Sequence, residues 1–225
     1  MSNIITLYTL CLLSISASAD AVRTFVSPPS KVILVEVYTS EGCSSCPPAD
    51  AWLSRFKART DLWQGVVPLG FHVDYWDYLG WGDRFAKAEF SDRQRAHRAT
   101  GNIDAVYTPG IVVDGREWRG FFKRRELRPA DNPDKPGTLR LTMDDGSIRL
   151  TFERRSAGPG PWAAHLAWLG FDLENTITRG ENAGKILGHD FVVLEHLASE
   201  GLGSSWTFAA RPPEHAGAVA AWITQ

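Results

Sequence analysis

The stretch Gly42-Cys43-Ser44-Ser45-Cys46-Pro47-Pro48 constrains this chain more than any other. Before it runs an apolar segment, Val32 to Tyr38, broken only by Glu36; after it the apolar residues Ala49, Trp52, Leu53 and Phe56 recur at i, i+3, i+4 and i+7. That spacing predicts a strand over 32–38, a loop, and a helix over 47–59. Two cysteines three apart at such a turn can close a small disulfide ring, and the N–H groups of a helix start favour a thiolate beside them. A pair in this setting is suited to exchanging electrons.

The rest of the cysteine usage agrees. An apolar run, Ile4 to Leu13, is too short to span a bilayer and is followed by the small residues Ala17-Ser18-Ala19, so residues 1–19 are expected to be a cleaved signal peptide. The mature protein is then periplasmic or secreted, with no transmembrane segment. Cleavage removes Cys11, leaving Cys43 and Cys46 of the three cysteines. A disulfide closing so small a loop restrains little chain entropy, which favours chemistry over stapling. A formal net charge of -2 provides no electrostatic footprint for nucleic acid.

With 225 residues, 44% of them hydrophobic, the chain can bury one large core or two modest ones. Val66 to Val73 predicts a second strand, parallel to the first through a right-handed crossover. An aromatic insertion follows, Asp74-Tyr75-Trp76-Asp77-Tyr78-Leu79-Gly80-Trp81, read as a packed lid on the sheet edge. Then come a helix opened by a capping box, Ser91-Asp92-Arg93-Gln94, a hairpin about Asp114-Gly115, and a closing helix over 121–128. The Pro-rich stretch 129–137 reads as a linker. It separates a domain over 31–128 from one over 138–225, each with its own core. Beyond it the pattern alternates, around an Asp145-Gly146 turn and in segments near 162–169, 191–197, 206–210 and 218–223. The expectation is a small antiparallel β-sandwich. Gly180 to Gly184 has no strand-to-helix setting and reads as a turn.

The order strand, C-x-x-C, helix, strand, helix, Thr-Pro, hairpin resembles the thioredoxin fold over residues 31–128. More narrowly, Thr39 to Asp50, Phe71 to Asp77, Arg93-Gln94-Arg95, Tyr107-Thr108-Pro109 and Gly180 to Gly184 look like a bacterial family of predicted secreted thioredoxin-like proteins still labelled a domain of unknown function. The resemblance implies an α/β class: a thioredoxin-like fold (β-α-β-α-β-β-α) with a C-terminal antiparallel β-sandwich. It also implies that Pro109 is a cis proline facing the cysteines, with backbone groups of Thr108 free to pair with a substrate strand. Two departures stand out. Gly110 follows Pro109 where a Gln is expected, and Pro47-Pro48 directly after the second cysteine suggest a helix start one or two residues later.

The catalytic set is therefore Cys43, Cys46, Glu36, Thr108 and Pro109. Cys43 is expected to attack from the exposed loop tip and Cys46 to resolve. Glu36 is the one acid on an apolar central strand, near where thioredoxins place a buried acid. Burial without a cation would raise its carboxyl toward neutrality, so it is expected to take the proton of Cys46. His72 and Asp74 share a face at a strand end and, with Trp76 and Tyr107, are expected to contact substrate. The activity is that of an exported thiol-disulfide oxidoreductase acting on a protein or small-molecule disulfide or thiol, served by a redox partner protein. No motif implies a cofactor or a resident metal. Two other readings stand beside it: a copper-handling protein using Cys43, Cys46 and His72 for Cu(I), and a binding module whose disulfide is structural. A zinc site made of thiolates alone would need two more cysteines.

Overall fold

The computed structural model describes residues 22–127, 135–144, 146–155, 161–209 and 211–224. The segment expected to be a signal peptide, most of the expected linker and Asp145 of the expected turn lie outside the described residues. In chain order the elements are β1 (Arg23–Val26), β2 (Ile33–Thr39), α1 (Pro47–Ser54), β3 (Val66–His72), α2 (Ala88–Ala99), β4 (Gly110–Val113), β5 (Arg116–Glu117), β6 (Gly137–Asp144), β7 (Ser147–Arg154), β8 (Trp162–Gly170), β9 (Leu173–Thr176), β10 (Ile186–His189), β11 (Val192–Gly201), β12 (Ser205–Phe208) and β13 (Ala216–Thr224). The class is mixed α/β, mostly β.

Seven strands form one sheet in the order β13-β8-β11-β3-β2-β4-β5. β2 and β3 are parallel in register from Ile33 opposite Val66 to Thr39 opposite His72, and β4 lies antiparallel on the other side of β2. β2 and β3 are covered on both faces, so their near-continuous apolar sequence follows from burial on each side. Val35 and Val37 pack with Ala49 and Leu53 of α1 and with Phe56 of the 3-10 turn that follows it. Residues of opposite parity, Tyr38, Leu69 and Phe71, pack with Phe90 of α2. The two faces of β2 thus look toward different helices.

The expectation of two separate cores is corrected here. β11, from beyond the linker, pairs parallel with β3 at Val192 opposite Gly70, extending the first half's sheet. Ala167, Leu169, Val193, Ala220 and Trp222 share one apolar cluster with Tyr38, Leu69, Phe71 and Phe90. The sandwich is formed differently from the expectation as well. A second sheet, β1-β6-β7-β12, lays Leu141, Ile148, Leu150, Phe152, Trp206 and Phe208 on the opposite face of β8, against Ala164, Leu166 and Trp168. The lead-in segment contributes β1, which pairs with β6 from Arg23 opposite Met143 to Val26 opposite Arg140. Composition marked a linker, but alternation cannot say which strand a new strand will join. With one core shared across both halves, thermal unfolding followed by far-ultraviolet and tryptophan signals is expected to give one coincident transition. Two resolved transitions would restore the two-domain description.

Smaller differences have local causes. Helix α1 begins at Pro47, with prolines in its first two positions, because a proline there gives up an N–H that would be unpaired anyway. It tightens to a 3-10 turn over Arg55–Ala58. Helix α2 starts at Ala88, and Lys87 rather than Ser91 precedes it. Phe90 packs edge-on against Phe71 with ring centroids 5.2 Å apart, and this burial draws the helix three residues upstream of the capping box. Ser91 is buried inside it, with its hydroxyl donating to the Asp74 carboxylate. The closing helix is only a 3-10 turn, Phe121–Lys123, ended by Arg124 in the left-handed region at φ 52°. The β9-β10 hairpin was not anticipated as strands; it carries the 180–184 turn between them.

Candidate functional site

Cys43 and Cys46 are joined as a disulfide with Cα atoms 5.5 Å apart. They sit where β2 ends and α1 begins. Cys43 N–H donates to the Ser40 carbonyl (3.1 Å) and Cys46 N–H to the Cys43 carbonyl (3.2 Å), so the turn is tied internally. Gly42 lets Trp76 pack closely on the turn, since a Cβ there would lie 3.0 Å from Trp76 Cβ.

Two expectations for this pair are corrected. The sulfur-bearing residues are not at an exposed tip: Cys43 is 1% exposed and Cys46 0%, although Ser44 and Ser45 between them are exposed. Helix N–H groups also do little for them directly. Pro47 and Pro48 have no N–H, and those of Ala49 and Asp50 are taken by the Cys46 carbonyl at 2.8 and 3.1 Å. What remains beside Cys43 Sγ is the Ser45 hydroxyl at 3.3 Å.

The turn is overlain by the loop between β9 and β10. Buried Asn182 donates its amide to the carbonyls of Glu41 (2.8 Å) and Cys43 (3.0 Å). The Glu181 carboxylate accepts the Ser44 N–H at 3.0 Å. This contact explains why the 180–184 turn, read from sequence as a plain connection, lies at the site.

Behind the turn is a cluster of buried ionisable groups of which sequence reasoning singled out only His72. Glu41 is fully buried; Oε2 accepts from Trp81 Nε1 (2.8 Å), while Oε1 accepts from Asn175 (2.7 Å) and lies 3.1 Å from His189 Nε2. His72 Nδ1 is 2.7 Å from Asp83 Oδ2, which also accepts the Glu41 N–H at 2.9 Å. Burial works against a charged His72, yet the Asp83 carboxylate raises its pKa, and His72 in turn holds Asp83 low against its own burial. They form an ion pair when His72 is protonated. Asp50 of α1 is 5% exposed; burial raises its carboxyl, with the charges of His189 and His72 opposing. The available sequence signal was Asp50 itself, an acid between core positions Ala49 and Leu53. His189 comes from far along the chain and had no signal.

The substrate-binding residues do not converge. His72 points toward this cluster and is 1% exposed, whereas Asp74 turns to α2 and accepts from Ser91. Trp76 Nε1 donates to Thr108 Oγ1 at 2.7 Å, packing Trp76 between the cysteine turn and the segment before β4. Tyr78 stands 79% exposed, so the aromatic lid is only partly closed. Tyr107 donates its hydroxyl to Glu117 at 2.6 Å. The Thr108-Pro109 peptide bond is cis, and β4 begins at Gly110, so Thr108 itself pairs with no strand. Gly110 also has its reason: a Cβ there would meet Gln94 Nε2 and the Tyr107 carbonyl, each at 2.8 Å. Gln94 fills that space, donating to the Tyr107 carbonyl and accepting from Tyr75. Since His72 is engaged by Asp83, the copper reading keeps only the two sulfurs. Among the described residues no group of three or more His, Cys, Asp or Glu side chains is placed to hold a metal ion.

Glu36 is the clearest correction. Strand parity turns it to the α2 face with Tyr38, away from α1. There Arg93 grips it through Nε (2.7 Å) and Nη2 (3.0 Å), Tyr38 donates at 2.8 Å, and His97 lies 3.4 Å away. Burial alone would raise its carboxyl, but the Arg93 charge and paired hydrogen bonds, with His97, hold it well below the carboxylate range. A carboxylate held ionised this firmly does not shuttle protons near neutrality.

Among known proteins, the sequence model of a family described as "Protein of unknown function (DUF1223)" matches residues 34–223. Two solved structures resemble the chain. A crystal structure of a protein from Agrobacterium tumefaciens is 28% identical, with a TM-score of 0.56 over 78% of this chain and 76% of that one. HBP35 of Porphyromonas gingivalis is 15% identical, with a TM-score of 0.52 over 88% of this chain and 70% of that one, a likeness of fold alone. No curated protein matches. Among the described residues no helix is long and apolar enough to cross a membrane.

Proposed function

We propose, for a chain that belongs to the DUF1223 family of proteins of unknown function, an exported thiol-disulfide oxidoreductase that works through Cys43 and Cys46. The observation that carries this reading is the disulfide itself, closed between cysteines three positions apart where β2 gives way to α1 and backed by buried carboxylates and histidines. A structural staple needs no ionisable groups behind it; a thiol that must gain and lose protons does. The order β2-α1-β3-α2-β4-β5, with β4 antiparallel to β2, supports a thioredoxin-like arrangement for this half. Export rests on the apolar N-terminal run and Ala17-Ser18-Ala19. The substrate class is a disulfide or dithiol of an exported protein or small molecule, with a second thiol protein resetting the pair.

Equilibration of the folded protein with mixtures of reduced and oxidised glutathione tests this. The expected result is reversible appearance of two thiols per chain while the far-ultraviolet spectrum stays native, and the midpoint gives the potential and hence the direction of electron flow. Thiols that appear only as the protein unfolds would favour the structural-disulfide reading.

A further inference from the structure

We propose that Asp50, backed by His189, takes the proton from Cys46 when that sulfur becomes the attacking thiolate, a role that rests on the oxidoreductase reading above. Cys46 has helical backbone angles (φ −79°, ψ −38°) and precedes the first turn of α1. Its carbonyl accepts the Asp50 N–H at 3.1 Å. Residues four apart on a helix share a face, with Cβ atoms roughly 5–6 Å apart. Both are buried, so water is a poor competitor for the proton.

His189 supplies the second, independent observation. Its Nδ1 is buried without a hydrogen-bond partner and lies 3.7 Å from Asp50 Oδ2, while its Nε2 faces Glu41 Oε1 at 3.1 Å. The imidazole therefore bridges two carboxylates with one joint open toward Asp50. The other charged groups on this side are His72 of β3, its ring centroid 4.9 Å from that of His189, and Asp83 bound to it. Glu36 and Tyr38 of β2 face the other way, and Asp190 beyond β10 is taken by Lys57 at 2.8 Å. Burial raises Asp50 while His189 and His72 pull it down. A raised carboxylate is the better base toward a thiol.

The step balances as follows. In the reduced protein the Cys43 thiolate attacks one sulfur of a substrate disulfide, forming a mixed disulfide and releasing the other sulfur as a thiolate. Cys46 then gives its proton to the Asp50 carboxylate, and its thiolate attacks Cys43 Sγ. The Cys43–Cys46 bond forms as the Cys43–substrate bond breaks, and the second substrate sulfur leaves as a thiolate. The substrate has gained two electrons and the protein pair has lost them; an external dithiol restores the starting form.

The test is rapid mixing of the dithiothreitol-reduced mature protein, from residue 20 onward and so without Cys11, with oxidised glutathione from pH 5 to 9, resolving mixed-disulfide formation from its resolution. Asp50→Asn is expected to slow resolution about 100-fold near pH 7, remove its acidic inflection and leave formation at Cys43 unchanged, with Asp50→Glu recovering part. His189→Gln should move the inflection to higher pH, because the charge that lowers Asp50 is gone. If Asp50→Asn resolves with the wild-type pH profile, Asp50 has no such role while the oxidoreductase reading stands. If the wild-type protein forms no mixed disulfide at all, the function reading fails and takes this inference with it. Should Asp50→Asn not fold, His189→Gln decides, and an unmoved inflection overturns the assignment.

Discussion

Replacing Cys46 by Ser is expected to capture stable mixed disulfides with exported proteins, and replacing Cys43 to capture almost none, with exchange falling to background in both. Exposure does not rank the two, because both residues are buried. Their backbone settings do. Cys43 lies in the loop with the exposed residues Ser44 and Ser45 after it, and its sulfur has the Ser45 hydroxyl 3.3 Å away to support a thiolate. Cys46 is already part of the helix start, its carbonyl holding two N–H groups of α1. A bulky substrate disulfide can reach Cys43 by displacing the overlying 180–184 loop, whereas reaching Cys46 first would mean displacing the helix. Gel mobility under non-reducing conditions reads the outcome. Capture by Cys43→Ser alone would reverse the roles, and capture by neither would remove the redox reading.

Replacing Arg93 by Ala should destabilise the fold by about 3–5 kcal/mol, because it leaves Glu36 charged, buried and without its bidentate partner. That is a large share of a typical domain's stability. Glu36 is 1% exposed, and His97 at 3.4 Å offers only partial compensation. The guanidinium also lies over the rings of Phe71 and Trp222, 5.4 and 5.5 Å from their centroids, so its loss loosens the contact between the two halves of the sheet. The pH dependence gives the sign. In the native protein Glu36 is held low, so its contribution is fully present above its unfolded value and is lost progressively as pH falls from there toward its lower folded value. In Arg93→Ala the buried carboxyl rises above its unfolded value, and the deficit should shrink as pH falls below about 5. Urea midpoints at pH 7.5 and 4.5 check this. Replacing both residues, as Glu36→Gln with Arg93→Met, should recover much of the loss, since no charge is left unpaired. A deficit under about 1 kcal/mol, the range of exposed pairs, would mean water reaches Glu36.

The sequence by itself determined the local pieces. Periodicity placed β2, α1 and β3, the Asp-Gly dipeptide placed the β4-β5 turn, and alternation placed β6, β7, β8, β11, β12 and β13 but not the short β9 and β10, because each depends on neighbours within a few positions. The cysteine pair was legible for the same reason, its spacing being a property of one turn. Which side chains meet across the fold was not. Glu36 sits one residue from positions that face α1, and a period of two sends it to Arg93 on the opposite side; the sequence held no sign that Arg93 would be there. His189 reaches Asp50, and Asn182 reaches the Cys43 carbonyl, only because β11 joins β3 and brings the β9-β10 hairpin over the turn. Burial of the cysteines and the charge states behind them follow from that long-range pairing, since a pKa is set by the nearest charges in space and those come from segments far apart in the chain.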